Sequence, residues 1–194
     1  MILEGLLTTC DSDGRPHLAP MGATVDDSGA GVGDTLQLRP FQGSATLENL
    51  RRTGQAVFHI TDDAEQLACA AIHCLDRLPE LWRAEAVDGF IVADACRWFA
   101  LRVEELDDSP PRARARMQVV DRGRIRDFFG FNRAKHAVVE TAILATRLHL
   151  LPEDEIRRRL GELRPLVEKT AGCRERVAME RLEKYIEQWL ARKT

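Results

Sequence analysis

The sequence predicts an α+β protein with a mainly β core in the first two-thirds of the chain and helices in the last third. Residues 1–130 fall into short apolar or alternating runs separated by turn residues, which is typical of β-strands. After that point apolar residues recur at helical spacing, first between Ala134 and Leu148. We therefore predict two regions, residues 1–130 and residues 131–194, within one structural unit.

The composition of the 194-residue chain is that of an ordinary globular protein. Its formal net charge of -3 gives no reason to expect nucleic acid or an anionic membrane surface as a partner. No apolar run reaches the length of a membrane span, and the residues after Met1 lack the basic region of a signal peptide. The five cysteines form no CxxC pair, so we expect no disulfide framework, no metal site and a cytoplasmic location with reduced thiols.

The chain begins with a predicted β-hairpin. Residues 2–10 and 16–25 predict two strands, and Asp11 to Gly14 predicts the tight turn between them. Pro20 lacks the N–H group that a ladder needs, so the second strand is expected to be broken, bulged or at a sheet edge there. The glycine-rich loop over residues 26–33 has the wrong spacing for a dinucleotide-binding motif, and we interpret it as a hairpin loop.

Strands and helices alternate in the remainder of the chain. The predicted elements are a strand over 35–39, a helix over 44–52, a strand over 55–61, a helix from 62 to about 75, a short helix over 78–85, strands over 96–106 and 112–127, and helices beginning near 132, 151 and 174. Pro165 is expected to kink or end the second of these last helices. Arg112, Arg114 and Arg116 share one face of their strand, either as a solvated face or as contacts to a ligand phosphate or a partner subunit.

The stretch from Leu38 to Leu50 is a candidate anion site. Arg39 follows a predicted strand, and Ser44 and Thr46 stand at the start of a predicted helix. A helix start presents unpaired N–H groups and a partial positive charge, hydroxyl groups donate hydrogen bonds, and arginine adds a charged fork. These groups suit a phosphate. The alternative is that Ser44 caps the helix and Arg39 is a solvated surface residue.

A second helix start with similar chemistry follows Gly130. Asn132 and Arg133 open a predicted helix there, so the same dipole argument makes them a second potential anion cradle. The alternative is a capping asparagine followed by a surface arginine.

Several motifs occur together in the order found in one superfamily. Ala19-Pro20-Met21-Gly22, then Ser44-Ala45-Thr46-Leu47-Glu48-Asn49-Leu50, then Thr53-Gly54-Gln55 resemble the flavin reductase-like split barrels that bind FMN. Over nearly its full length the chain resembles more closely the DUF447 family within that superfamily. The motifs that carry this likeness are Met1-Ile2-Leu3-Glu4-Gly5, Arg39-Pro40-Phe41, Phe131-Asn132-Arg133-Ala134-Lys135 and Glu168-Lys169-Thr170-Ala171-Gly172. The resemblance implies a split β-barrel with a helical C-terminal region packed on it, and a homodimer with FMN near the dimer interface.

The resemblance also implies a set of cofactor-binding residues. Arg39, Ser44 and Thr46 would meet the FMN phosphate, although Ser44-Ala45-Thr46 replaces the usual Lys-Asp-Thr. The flavin ring would lie against the strand that carries Met21, Gly22 and Ala23, with Met21-Gly22 in place of Tyr-Ser. The remaining candidates are Asn49, a retained polar position, and His59, which is either a polar contact to the flavin or a satisfied strand histidine. Asn132 and Arg133 are candidates for the same phosphate, and the arginine could reach it from the partner chain.

The function that the resemblance implies is flavin chemistry on a small molecule. Hydride transfer belongs to the cofactor, which explains why the sequence shows no catalytic constellation and identifies no catalytic residue. Family members occur in organisms that use tetrahydromethanopterin for one-carbon transfer, which suggests a pathway and identifies no reaction. The alternatives are a non-catalytic FMN-binding or flavin-carrier protein and a flavin-free dimeric structural module.

Overall fold

The computed structural model describes residues 1–26, 32–109 and 112–193. The elements in that part of the chain are β1 (Ile2–Cys10), β2 (Pro16–Val25), β3 (Thr35–Leu38), α1 (Ala45–Thr53), β4 (Gln55–Ile60), α2 (Ala64–Ala71), β5 (Leu81–Arg83), β6 (Phe90–Val92), β7 (Arg97–Asp107), β8 (Arg114–Arg124), α3 (Arg133–Ala145), α4 (Glu153–Thr170) and α5 (Cys173–Ala191). A turn of 3-10 helix spans Leu148–Leu150. Most of the hairpin loop predicted over residues 26–33 lies outside the described residues.

Six antiparallel strands form a closed barrel in the order β1-β2-β3-β8-β7-β4. Two of its seams are short: β2 pairs with β3 only over Ala23 to Val25, and β1 pairs with β4 only over Leu6 to Thr8. The described helices beyond residue 130 follow this barrel in the chain. The prediction of an α+β split barrel with a helical C-terminal third is confirmed.

Side chains alternate along the strands, and the inward-facing apolar ones fill the barrel. Leu38, Phe58 and Met117 are fully buried in its core, and each such side chain contributes about 1.5–3 kcal/mol by leaving water. On β8 the arginines Arg114 and Arg116 are exposed. Arg114 and Arg116 thus lie on one face, as predicted for the row of Arg112, Arg114 and Arg116, whereas Arg112 precedes β8 and is half-buried.

One element was predicted wrongly. The short helix expected over residues 78–85 is instead the strand β5, which pairs with β6 so that Trp82 lies opposite Ile91. The Arg83 guanidinium also lies 4.5 Å from the centre of the Phe90 ring. Contacts with a segment further along the chain outweigh the weak helical pattern of so short a stretch.

The chain divides into two compact units. One comprises Met1–Thr61 and Arg77–Phe128, and the other comprises Asp62–Asp76 and Phe129–Thr194. Because α2 packs its small residues against the helices beyond residue 130, it belongs to the second unit and shares its apolar core. The division of the chain into domains at residue 130 stays a prediction.

Two helices end at positions other than those predicted from the sequence. α4 continues past Pro165 to Thr170. α2 stops at Ala71 rather than near residue 75, because His73 adopts a left-handed backbone with φ of 55°. In the described part of the chain no helix combines the length and apolar character that crossing a membrane requires.

Candidate functional site

Gly22 and Arg39 each lie one residue beyond the last pair of β2 and β3. β2 and β3 pair so that Ala23 lies opposite Leu38, and both of these side chains are buried in the barrel core. Because side chains alternate along a strand, Gly22 and Arg39, which each adjoin one residue of this last pair, are on the outer face, just beyond the end of the β2–β3 pairing. Arg39 is exposed there.

Arg114 is the neighbour of Arg39 on the other side. β3 and β8 pair Leu38 with Ala115, so the continued register puts Arg114 opposite Arg39, and side chains so placed have Cβ atoms about 5 Å apart. In residues 1–26, 32–109 and 112–193 neither guanidinium forms a salt bridge. We call Gly22, Arg39 and Arg114 the outer row. Two like charges side by side are stabilised by an anion that lies between them.

A cleft of about 470 Å³ lies on the same outer face. Its volume is within the range of about 300–1,000 Å³ that small-molecule sites occupy. The residues that line it carry charges of both signs and come from β2 and the residue after it, and from β3, β7 and β8: Thr24, Val25, Asp26, Thr35, Leu36, Gln37, Glu105, Asp107, Arg114 and Arg116. Arg116 forms a salt bridge with Glu104 at 2.8 Å. Arg114 belongs both to the outer row and to the lining of the cleft.

The part of β2 before the outer row is an edge. From Pro16 to Gly22 this strand pairs with β1 alone, because β3 pairs only from Ala23 onward. The expectation that Pro20 marks a strand edge is confirmed. On its other side, this part of β2 has no paired strand among the described residues. Met21 lies on the edge and is partly buried against the barrel core, whereas Ala23 is fully buried and paired on both sides.

The outer side of Gly22 is narrow. A Cβ atom at this position would lie 3.1 Å from Ile2 Cγ2 and 3.5 Å from the Glu4 carboxylate oxygens. A larger side chain would therefore fill the space in front of the β2 edge. The glycine keeps the backbone open to close approach.

Ser44 is the cap of α1. Its hydroxyl donates to the Phe41 carbonyl at 2.8 Å and accepts from the Leu47 N–H at 3.2 Å. Gly43, with φ of 72°, supplies the turn that precedes it. Because both functions of the hydroxyl are used within the loop and helix, the geometry favours the capping alternative for Ser44.

Thr46 differs from Ser44 in its hydrogen bonds. The side chain is 3% exposed, and no described residue hydrogen-bonds to its hydroxyl. The N–H groups of Ala45 and Thr46 likewise have no partner within the described residues, as expected for the first turn of a helix. The start of α1 therefore offers one hydroxyl and two amide donors to an anion.

Arg112 fixes the loop between β3 and α1. Its Nη2 donates to the Arg39 carbonyl at 2.9 Å, and its guanidinium lies 4.0 Å from the centre of the Phe41 ring. Phe41 and Arg112 also form an antiparallel bridge, which keeps the register of β3 and β8 beyond Leu38. Arg112 thus has none of the three roles considered for the arginine row, which were a solvated face, a contact to a ligand phosphate and a contact to a partner subunit. Instead it positions the backbone that carries Arg39.

The whole chain matches one protein family. A family model for the N-terminal domain of DUF447, described as a protein of unknown function, matches residues 3–126, and the DUF447 C-terminal model matches residues 132–184. This chain belongs to the DUF447 family. The resemblance drawn from the sequence motifs is confirmed.

Solved structures share the DUF447 fold. An FMN-bound DUF447 protein from Methanosarcina mazei is 22% identical, with a TM-score of 0.79 over 95% of this chain and 94% of that one. The 2-nitrobenzoate 2-nitroreductase of Pseudomonas fluorescens is 16% identical, with a TM-score of 0.51 over 62% of this chain and 63% of that one. The styrene monooxygenase flavin reductase of Pseudomonas putida S12 is 14% identical, with a TM-score of 0.51 over 64% and 81%. The fold is that of flavin reductase-like barrels.

Asn49, which the DUF447 resemblance singled out, faces the protein interior. Its side chain is buried, and its Nδ2 donates to Thr9 Oγ1 at 2.9 Å. This bond joins α1 to β1. Its contact to a cofactor stays a prediction, and the geometry gives Asn49 a clear structural role.

His59 is also satisfied within the barrel unit of this DUF447 chain. Its ring is fully buried, Nδ1 lies 3.2 Å from the Leu6 carbonyl, and Nε2 accepts from the Val92 N–H at 3.1 Å. Burial lowers the pKa of His59 to about 4. The imidazole is therefore neutral at pH 7, and the alternative of a satisfied strand histidine fits this geometry.

Asn132 and Arg133 belong to the helical unit. The Asn132 side chain caps α3 by accepting from the N–H groups of Ala134 and Lys135 at 2.8 and 3.1 Å, and it donates to the Thr170 carbonyl at 3.0 Å. The alternative of a capping asparagine thus fits the geometry. Arg133 is exposed at the first position of α3. Their contribution to a phosphate site stays a prediction.

Proposed function

We propose that this DUF447 protein binds FMN on the outer face of its barrel and uses it as an oxidoreductase acting on a small molecule. The observation that carries the proposal is the outer row, where Arg39 and Arg114, opposite each other and without a salt bridge in the described part of the chain, lie on the same outer face as Gly22, beside a cleft of ligand size. The FMN-bound relative from Methanosarcina mazei supports it, since the two chains match over nearly their full lengths.

The phosphate end of FMN is assigned to the start of α1. The Thr46 hydroxyl and the Ala45 and Thr46 N–H groups are donors that no described residue accepts from, and Arg39 adds a positive charge on the outer face. Ser44 contributes by shaping the turn, because its hydroxyl is engaged with Phe41 and Leu47.

The flavin ring is assigned to the edge of β2. The paired hydrogen bonds between Met1 and Val25 set the alternation along β1 and β2, so the Met21 backbone faces β1 while the Gly22 backbone faces away from it and is available to a planar polar ring. Gly22 keeps that edge accessible, since Ile2 and Glu4 already stand close to its outer side.

Bound FMN would supply hydride transfer, and the protein would bind, orient and shield it. The chain contributes positive charge from Arg39 and Arg114, and a rigid loop held by Arg112. His59 supplies no proton, because its two nitrogen atoms are engaged with backbone groups of Leu6 and Val92. A pterin or a nicotinamide is the substrate class that the family resemblance suggests.

A homodimer belongs to the same proposal. Ile2 and Phe41 expose 62% and 51% of their surfaces, and Ile2 lies next to Gly22 at the edge of the outer row. A second copy that covers these apolar side chains would close the cleft from outside. Light scattering of the purified protein at several concentrations tests this, and a strictly monomeric mass would contradict it.

The experiment that tests cofactor binding is an FMN titration followed by quenching of flavin fluorescence. Arg39→Ala and Thr46→Val should each weaken binding about tenfold, the effect of losing one hydrogen bond to a charged group. Arg15→Ala is the matched control, because Arg15 is an exposed arginine on the β1–β2 turn, paired with Asp13. Wild-type affinity in both Arg39→Ala and Thr46→Val would refute the phosphate assignment.

Turnover separates an enzyme from a carrier. Oxidation of NAD(P)H in the presence of FMN, reduced in Arg39→Ala and unchanged in Arg15→Ala, would support an oxidoreductase. Tight FMN binding without consumption of any tested reductant would support a flavin carrier instead. Absence of FMN binding by the wild-type protein would support the flavin-free structural module.

A further inference from the structure

We propose that Cys69 and Cys74 form an oxidation site, in which hydroperoxides convert the two thiols into a reversible intramolecular disulfide. Both residues lie in the helical unit, and the site uses neither the outer row nor FMN. The proposal therefore stands independently of the function proposed above.

The end of α2 brings the two cysteines together. His73 takes the left-handed conformation after the helix, and the Cys74 N–H donates to the Cys69 carbonyl at 2.9 Å. This is a Schellman ending, in which the residues at these two positions contact each other. Standard bond lengths then keep the two Cα atoms within about 7 Å, close to the upper limit of the separations that disulfides span.

Arg181 of α5 supports the same pair. Its Nη1 lies 3.3 Å from Cys69 Sγ, and its Nη2 lies 3.5 Å from the Asp76 carboxylate. The Cys69 thiol, and with it the Cys74 thiol, raises the pKa of Arg181. A cation held against both sulfur atoms favours the thiolate that must form during oxidation.

The two thiols differ in accessibility, which assigns their roles. Cys69 is 2% exposed and Cys74 is partly exposed, so a peroxide in solvent reaches Cys74 first. Burial raises the pKa of Cys69 to about 11, and Cys69 is therefore protonated at neutral pH. Cys74 is the attacking thiol and Cys69 the resolving thiol.

The reaction balances in two steps. The Cys74 thiolate attacks one oxygen of hydrogen peroxide, the O–O bond breaks, and a sulfenic acid and hydroxide form; the hydroxide takes up the proton that Cys74 released. The Cys69 sulfur then attacks the sulfenic sulfur, the S–O bond breaks, and the departing hydroxide leaves as water with the Cys69 proton. Two thiols are oxidised to one disulfide, and one peroxide is reduced to two water molecules.

Peptide masses test the proposal on the full-length protein. Hydrogen peroxide treatment is followed by alkylation of the remaining thiols and digestion with trypsin. One tryptic peptide, Thr53 to Arg77, holds both cysteines, whereas Cys10, Cys96 and Cys173 lie in separate peptides. We expect the Thr53–Arg77 peptide to carry no alkyl group and to weigh two hydrogen atoms less than its unalkylated dithiol form, and reduction with dithiothreitol followed by alkylation to give the dialkylated form.

Variants distinguish oxidation at the Cys69–Cys74 pair from oxidation at a reactive thiol on the surface. Cys173→Ser, which removes the exposed cysteine, should leave the reaction unchanged. Arg181→Met should slow disulfide formation about tenfold, since the cation beside the sulfur atoms is lost. Arg176→Met on the same helix is the matched control, because the Arg176 side chain donates to the Ala171 carbonyl and to no cysteine among the described residues.

The wild-type measurement decides the proposal even if a variant folds poorly. A Thr53–Arg77 peptide that stays dialkylated at peroxide concentrations that oxidise Cys173 would overturn it. Disulfides that form only between chains would overturn it as well.

Discussion

His59 and Val92 are joined inside the barrel unit by a hydrogen bond from the Val92 N–H to His59 Nε2, 3.1 Å long. Since Nε2 accepts, Nδ1 carries the proton and donates to the Leu6 carbonyl at 3.2 Å. The ring thus connects β4 with β1 and β6, and it does so only in its neutral form. Burial lowers the pKa of His59 from 6.5 to about 4.

Stability should therefore fall as the solution is acidified. The unfolded chain binds a proton at His59 below about pH 6.5, whereas the folded chain resists protonation until about pH 4. The stabilisation is fully present above pH 6.5 and is lost between pH 6.5 and pH 4. We expect the free energy of unfolding to fall by about 3 kcal/mol across this window, measured by urea unfolding at several pH values.

Two variants identify the source of that pH dependence. His59→Gln should be less stable at pH 7 and should lose most of the slope between pH 6.5 and pH 4. His136→Gln is the control, because His136 is exposed on α3 and its replacement should leave the slope unchanged. An unaltered slope in His59→Gln would contradict the assignment.

The Asn49–Thr9 hydrogen bond should stabilise the fold rather than the cofactor. Asn49→Ala leaves the buried Thr9 hydroxyl without this donor, and we expect it to lower the free energy of unfolding by about 1–3 kcal/mol. A double-mutant cycle with Thr9→Val should give a coupling energy of about 1 kcal/mol. Urea unfolding measures both quantities, and additive effects would argue against a direct bond.

Asn132 should act as a helix cap. Asn132→Ala removes the acceptor for the Ala134 and Lys135 N–H groups and should destabilise the protein by about 1–2 kcal/mol. Asn132→Asp keeps the cap and loses only the bond to the Thr170 carbonyl, so it should be less harmful. Thermal unfolding of the two variants makes the comparison. Equal losses in both would assign the effect to the Thr170 contact.

Gly5 should tolerate no side chain. A Cβ atom there would clash with the His59 carbonyl oxygen and lie 2.7 Å from the Phe58 ring, so Gly5→Ala should destabilise the protein by about 3 kcal/mol. Gly161→Ala on α4 is the matched control: nothing lies within 4 Å of its added Cβ, and helix propensity should raise stability by about 0.5–1 kcal/mol. Chemical unfolding distinguishes the two, and a neutral Gly5→Ala would contradict the packing.

Much of the barrel could be predicted because its strands carry local signals. The predicted bounds of β1 and β2 agree with Ile2–Cys10 and Pro16–Val25, since turn residues punctuate both ends of each strand. β5 could not be predicted, because three residues carry no period and only pairing with β6 makes them a strand. The helix α2 was predicted, but the helices that it packs against were not. Its small apolar face is typical of any packed helix and does not identify its partners.

The candidate site was predictable in part. Arg39 and Thr46 were found because a cation and a hydroxyl stand near a recognisable helix start. The sequence did not show which of Ser44 and Thr46 caps the helix, since either hydroxyl could do so. The hydrogen bonds of the structure identify Ser44 as the cap. The role of Arg114 beside Arg39 needed the register of β3 and β8, which no local pattern encodes.

By itself, the sequence determined most of the strand and helix segments and the family, and for Ser44 and Asn132 it left a helix cap and a phosphate contact as alternatives. These depend on residues within a few positions of one another, where propensity and hydrogen bonding act locally. Only the tertiary structure decided that Asn49 and His59 are engaged internally, because Thr9 and Val92 lie 40 and 33 residues away along the chain. Such contacts depend on strand register and packing, which arise from the whole fold.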